Sequence, residues 1–116
     1  MSVEIYHNPR CSKSRQTLQL LRDHGVEPEI TEYLKSPPER EALEHILDML
    51  GLEPRELMRT KESEYREYNL DDPALSRDEL IRAMLEHPRL IERPIVVRDG
   101  RAAIGRPPER VLELLP

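Results

Sequence analysis

The sequence contains no phenylalanine and no tryptophan, and it has only four tyrosines. The core of this 116-residue chain must therefore be built mainly from aliphatic side chains. No apolar run approaches the roughly 20 residues that a membrane-spanning helix needs, and the first residues lack the basic and then apolar pattern of a secretion signal. We therefore expect a single cytoplasmic domain with no membrane partner.

A second cysteine is also absent, because Cys11 is the only one. A free thiol is typical of a reducing compartment, and Cys11 has no partner for an intramolecular disulfide. Ser14 stands where the second cysteine of a Cys-x-x-Cys pair would be, and Thr17 stands where a tyrosine phosphatase loop needs its arginine. Any thiol that reacts with Cys11 must therefore come from another molecule.

Positive charge is in deficit, with 18 basic against 23 acidic residues and a net charge of -5. This balance argues against a nucleic-acid partner, since a phosphate backbone requires a broad basic surface. The four histidines are scattered without metal-ligand spacing, so we expect no metal site.

The pattern at the start of the chain predicts a β-α-β unit. Residues 3–7 alternate as in a strand, residues 12–24 carry apolar positions at helical spacing, and Gly25 is a natural helix stop. A second strand is expected over residues 26–34, and Pro28 indicates either an edge strand or the first residues of a strand.

Helical signals then fill residues 36–87. The Ser-Pro-Pro-Glu segment that begins at Ser36 and the Ser-Arg-Asp-Glu segment that begins at Ser76 both have the capping-box pattern of a helix start. The first of these helices is expected to end at Gly51, and a short helix is expected over residues 54–58.

The last part of the chain predicts a β-hairpin and a helix. Two strand-like runs, 94–98 and 101–104, flank an Asp-Gly dipeptide, which is a strong hairpin signal. A final α-helix from Pro107 is expected to turn Val111, Leu112 and Leu115 inward.

This element order predicts the fold class. A β-α-β unit followed by a β-β-α unit is the thioredoxin-like arrangement of an α/β protein. We therefore expect one domain over residues 1–116, with a thioredoxin-like core in residues 1–35 and 88–116 and a helical insertion in residues 36–87.

The setting of Cys11 favours reactivity. The residue lies at the predicted N-terminus of the first helix, and Arg10, Lys13 and Arg15 flank it. Cationic neighbours and the free N–H groups of a helix start both favour a thiolate, so we expect a lowered pKa. The alternative is a buried structural cysteine, which is common for a lone thiol. His7 could orient this loop or interact with the thiolate, or it could simply be a hydrogen-bonded strand residue.

Three arginines occupy unusual places: Arg59 follows a short helix, Arg93 precedes Pro94 at a strand start, and Arg106 follows the hairpin. In a thioredoxin-type fold, Arg93-Pro94 would lie beside the cysteine with the proline in cis. Guanidinium groups present a planar fork to tetrahedral oxyanions, so three of them at one thiolate would form an oxyanion pocket. Solvated surface arginines are the alternative.

With these features, the sequence resembles the glutaredoxin-coupled arsenate reductase family, and in particular its short, chromosomal-type members. The resemblance spans Ile5 to Leu115. It is carried by His7-Asn8-Pro9-Arg10-Cys11-Ser12-Lys13-Ser14-Arg15, by Leu57-Met58-Arg59, and by Glu92-Arg93-Pro94-Ile95-Val96-Val97 together with Gly105-Arg106-Pro107.

The resemblance implies that the Cys11 thiolate attacks arsenate or another small oxyanion. It implies that glutathione then adds as a co-substrate and that glutaredoxin supplies the electrons which release arsenite, a reaction of arsenic detoxification. No bound cofactor is implied. The implied site consists of Cys11 with His7, Ser14 and Arg15 in its loop, and of Arg59, Arg93 and Arg106 as oxyanion ligands.

Two other functions stay open at this point. A glutathione-dependent thiol reductase acting on mixed disulfides would need only Cys11, and its arginines would hold a glutathione carboxylate. A regulator similar to Spx-type proteins would share the fold and bind RNA polymerase. Ser14, however, removes the Cys-x-x-Cys switch on which redox-sensing members of that class rely.

Overall fold

The computed structural model describes residues 2–115, which divide into two compact units. The first unit holds the residues up to Ser36 and those from Arg93 onward, and the second holds Pro37–Glu92. Within residues 2–115, no helix has both the length and the apolar character needed to cross a membrane.

The first unit is built on a four-stranded sheet. Its elements are β1 (Val3–Tyr6), α1 (Ser12–Asp23), β2 (Glu29–Thr31), β3 (Ile95–Arg98) and β4 (Arg101–Ile104). The strand order is β2-β1-β3-β4, with β1 and β2 parallel and the other two pairs antiparallel. The predicted β-α-β start is therefore confirmed, although β2 is shorter than expected because only three of its residues pair with β1.

The predicted hairpin joins β3 and β4. Asp99 and Gly100 form its turn with positive φ angles of 49° and 75°, which is the backbone that a two-residue hairpin loop requires. These two residues are therefore sufficient to predict the position of the turn.

The end of the chain differs from the prediction. Pro108–Leu114 forms a 3-10 helix in place of the expected α-helix. Side chains three residues apart share one face of a 3-10 helix, and the buried residues are accordingly Pro108, Val111 and Leu114. Leu112, which an α-helix would have turned inward, is only partly buried.

The core of the first unit is aliphatic, as the composition predicts. It is formed by Val3, Ile5, Leu18, Leu21, Val96, Ala103, Val111 and Leu114. These residues come from β1, α1, β3, β4 and the final 3-10 helix, so α1 and that helix cover one face of the sheet. Burial of each large aliphatic side chain stabilises the fold by about 1.5–3 kcal/mol.

The second unit is helical. It contains α2 (Arg40–Leu50), α3 (Pro54–Leu57), α4 (Ser63–Glu67), α5 (Arg77–Glu86) and a 3-10 helix (Pro88–Leu90). The helix α5 packs against α2 and α3. The buried faces of α2 and α5 consist of Leu43, Ile46, Leu47, Leu80, Ile81, Ala83 and Met84.

The two predicted capping boxes have different outcomes. At Ser76 the prediction is confirmed, because the Ser76 hydroxyl accepts the Glu79 N–H and the Glu79 carboxylate accepts the Ser76 N–H. At Ser36 it is wrong, because α2 begins at Arg40 with Glu39 as its N-cap residue. Two consecutive prolines follow Ser36, and a residue before proline is held in extended backbone.

Candidate active site

The sheet brings three separate segments of the first unit together at one end of its strands. Tyr6 at the end of β1 pairs with Ile95 at the start of β3, and Ile95 pairs with Ile104 at the end of β4. The loop after β1, the residues before β3 and the residues after β4 must therefore lie side by side. These segments carry Cys11, Arg93 and Arg106 respectively.

Asn8 organises the loop that carries Cys11. Its carbonyl oxygen accepts the Cys11 N–H at 3.0 Å, its side-chain oxygen accepts the Arg10 N–H at 3.0 Å, and its own N–H donates to the Ser14 hydroxyl oxygen at 3.0 Å. Asn8 was named above only as part of the motif that carries the family resemblance. The tendency of asparagine to bond the backbone two residues on is the signal that could have identified it.

Cys11 is the N-cap residue of α1, and its thiol is partly exposed. Burial raises the pKa of this thiol, but hydrogen bonds from the Ser14 and Lys13 N–H groups and the charge and hydrogen bond of Arg93 outweigh that effect. The net pKa is lowered, as expected. The largest lowering contribution is the Ser14 N–H, which is one of the free N–H groups of the helix start.

Arg106 and Arg93 meet beside the sulfur. The Arg106 Nη2 lies 3.8 Å from the Cys11 Sγ, and the Arg106 Nε donates to the Arg93 carbonyl oxygen at 2.8 Å. Both arginines precede a cis proline, so the Arg93-Pro94 peptide bond has the expected geometry and Arg106-Pro107 shares it. Two guanidinium groups therefore accompany the thiol in the first unit.

His7 is joined to the loop through Ser14. The His7 Nδ1 lies 2.6 Å from the Ser14 Oγ, and both side chains are buried. Burial lowers the pKa of His7; Glu32 opposes this, and the positive charges of Arg22 and Arg15 add to it. A neutral imidazole is therefore favoured, and its Nδ1 is hydrogen-bonded to Ser14.

The other two expected site residues have different surroundings. The Arg15 guanidinium is exposed and donates to the Pro9 carbonyl oxygen at 2.9 Å, so it braces the Cys11 loop. Arg59 belongs to the second unit, where its Nη2 pairs with the Glu62 carboxylate at 2.5 Å. Glu62 also pairs with Arg89 at 3.1 Å.

Gly105 allows the segments to approach closely. A Cβ at this position would lie 2.9 Å from the Pro94 Cγ and would collide with the Thr17 hydroxyl. Gly105 also donates its N–H to the Pro94 carbonyl oxygen at 3.0 Å. Gly105 was named above only as part of the Gly105-Arg106-Pro107 motif, because a contact between distant residues leaves no local pattern.

The chain is similar to known proteins over nearly its whole length. The sequence pattern of the ArsC family matches residues 6–114. The chain belongs to the ArsC family. This confirms the resemblance to arsenate reductases and, with it, the thioredoxin-like α/β fold class.

Three similar proteins illustrate how the chain sits within the ArsC family. The arsenate reductase of Haemophilus influenzae is 52% identical over 99% of this chain and 100% of its own length. The uncharacterized protein YfgD of Escherichia coli K12 is 57% identical over 97% of this chain and 96% of its own length. The solved structure of an arsenate reductase from Vibrio cholerae has 57% identity and a TM-score of 0.97, covering 99% of this chain and 98% of that one.

Proposed function

We propose that this chain reduces arsenate to arsenite through the Cys11 thiolate, with glutathione and glutaredoxin supplying the remaining thiols. The observation that carries the proposal is the meeting of Cys11 with Arg93 and Arg106 around a thiol of lowered pKa. A thiolate supplies the nucleophile, and guanidinium groups suit a tetrahedral oxyanion.

Arg93 and Arg106 serve two purposes in this proposal. Before substrate arrives, Arg93 favours the thiolate. When arsenate binds, both guanidinium groups neutralise its charge, which would otherwise repel an anionic nucleophile. The hydrogen bond from the Arg106 Nε to the Arg93 carbonyl oxygen holds the Arg106 side chain against the backbone of Arg93. The resemblance adds Arg59 as a third ligand, with His7, Ser14 and Arg15 supporting the loop.

The chemistry balances only with thiols from outside the chain. The Cys11 thiol forms a sulfur–arsenic bond to arsenate as one water leaves, and the glutathione thiol adds in the same way as a second water leaves. A glutaredoxin thiolate attacks the glutathione sulfur, and the electron pair of the sulfur–arsenic bond stays on arsenic, which becomes As(III). One water then hydrolyses the remaining sulfur–arsenic bond, which releases arsenite and restores Cys11.

The test is arsenate-dependent NADPH oxidation in a mixture of glutathione, glutaredoxin and glutathione reductase. We expect turnover with the native chain and none with Cys11→Ser. Arg106→Ala is expected to lower kcat/KM for arsenate by about 10²-fold, because an anion-stabilising donor is lost. Arg101→Ala, which removes an exposed arginine from β4, is the matched control and is expected to leave the rate unchanged.

A rate with arsenate that is no higher than the rate without it would contradict the proposal. The same mixture should then be tested with bis(2-hydroxyethyl) disulfide in place of arsenate. Turnover of that disulfide alone would assign the chain to the thiol reductases, which also require only Cys11.

A further inference from the structure

The surface around Cys11 has a charge distribution opposite to that of the whole chain. The net charge of the chain is -5, yet the stretch from Ile5 to Arg22 contains neither Asp nor Glu. Its cationic side chains are Arg10, Lys13, Arg15 and Arg22. Three of these four lie within four residues of Cys11, so positive charge is concentrated at the reactive thiol.

Arg10 and Lys13 are the members of this group that the chemistry described above does not use. Both side chains are exposed, and within residues 2–115 neither takes part in an ion pair or a side-chain hydrogen bond. Arg15, in contrast, donates to Pro9, and Arg22 pairs with Glu27 at 3.1 Å. Arg10 and Lys13 are therefore available to bind an anion from solution.

The backbone holds both residues close to the sulfur. The N–H of Arg10 donates to the Asn8 side chain in the turn that precedes Cys11. Lys13 is the second residue of α1, and its N–H is among the groups that lower the pKa of the Cys11 thiol. The two side chains thus extend from fixed points on either side of the thiol, whereas Arg93 and Arg106 approach it from the hairpin.

We propose that Arg10 and Lys13 form a binding site for the carboxylates of glutathione, the small anionic thiol that must approach Cys11. This inference rests on the proposed function for its choice of ligand. Glutathione carries two carboxylates near its thiol, and two exposed cations beside the target sulfur match that distribution. The site would accelerate the approach of the glutathione sulfur to the arsenic atom bound at Cys11, and it leaves Arg93 and Arg106 to the oxyanion.

The test uses the free thiol of the full chain without arsenate, so it does not depend on arsenate turnover. The Cys11 thiolate attacks one sulfur of glutathione disulfide, which forms a protein–glutathione disulfide and releases one glutathione thiolate. Its rate is compared with that of the same exchange with bis(2-hydroxyethyl) disulfide, which is uncharged. The ratio of the two rate constants removes any change in the reactivity of the thiol itself.

The double variant Arg10→Gln with Lys13→Gln is expected to lower this ratio by about 3- to 10-fold at low salt. The effect should disappear at about 1 M NaCl, where exposed charges are screened. The matched control is Arg22→Gln with Arg101→Gln, which removes the same charge from the last turn of α1 and from the start of β4 and should leave the ratio unchanged.

Equal ratios for the double variant and the native chain at low salt would overturn the proposal. So would an equal loss in the control variant, since that would show a response to net charge alone. If the ratio stays constant while the KM for glutaredoxin rises in the coupled assay, the two cations recognise the protein partner and the glutathione site is rejected. Absence of arsenate turnover, in contrast, would contradict only the proposed function.

Discussion

The reactivity of Cys11 depends on donors that arrive from two directions. The N–H groups of Ser14 and Lys13 belong to its own helix, whereas Arg93 and Arg106 come from the residues that flank the hairpin. Arg93 and Arg106, which are distant from Cys11 in sequence, thereby add positive charge beside its thiol. The charge and the hydrogen bond of Arg93 therefore act on the protonation state of the Cys11 thiol.

Replacement of Arg93 by alanine is expected to raise the pKa of the Cys11 thiol, because both the charge and the hydrogen bond of Arg93 lower it. The thiolate is lost as the pH falls through the pKa, so the alkylation rate of the variant should rise at higher pH than that of the native chain. Iodoacetamide alkylation as a function of pH measures this. Arg101→Ala serves as the control, and an unchanged profile for Arg93→Ala would show that Arg93 does not act on the thiol.

At the scale of the element, the capping box of α5 can be tested with two serines, Ser76 inside the box and Ser36 outside any box. Ser76 accepts the Glu79 N–H, whereas Ser36 has no capping hydrogen bond because α2 begins later. Ser76→Ala is therefore expected to lower the free energy of unfolding by about 1 kcal/mol, and Ser36→Ala to leave it nearly unchanged. Urea unfolding measures both; equal losses in the two variants would contradict the capping assignment.

The elements that the sequence predicted are those whose signals are local. The Asp99-Gly100 turn, the helix stop at Gly51 and the Ser76 box each depend on a few adjacent residues, and all are present in the structure. The helix α4 has no buried residue, so it lacks the apolar periodicity by which it could have been recognised. The final 3-10 helix was misread because spacings of three and of 3.6 residues differ little over seven residues.

The residues of the candidate site also differ in whether a local sequence signal predicts their positions. The position of Cys11 at a helix start was predictable, because a strand pattern, a break and a helix pattern follow one another. The approach of Arg93 and Arg106 depends on strand pairing between distant segments. The predicted thioredoxin-type fold indicated it for Arg93, and only the likeness to a known family indicated it for Arg106. The role of Asn8 as the centre of the loop was missed, since its hydrogen bonds are made by one ordinary turn residue.

At the scale of the whole molecule, His7 links stability to pH. Its pKa is lowered in the folded chain from the ordinary value of 6.5, so below that pH the unfolded chain binds a proton that the folded chain resists. His7 makes its full contribution to the free energy of unfolding above about pH 6.5. This contribution decreases as the pH falls from 6.5 towards the lowered pKa of the folded chain. The free energy of unfolding should therefore decrease on acidification.

Urea unfolding at several pH values between about 5 and 8 tests this linkage. His7→Gln is expected to weaken the decrease relative to the native chain, and His24→Gln, which changes an exposed histidine, is expected to retain it. If His7→Gln and the native chain lose stability in parallel, another group is responsible for the pH dependence.

The β3–β4 hairpin carries both arginines that accompany Cys11, one immediately before Pro94 and one immediately after Gly105. Two hydrogen bonds, Gly105–Pro94 and Arg106–Arg93, join the two strands at the open end of the hairpin. The Asp99-Gly100 turn closes the opposite end. The strand register between these ends is fixed by pairing on both sides of β3. A short tag or a fluorescent label can therefore enter the chain at this exposed turn while the two guanidinium groups keep their spacing.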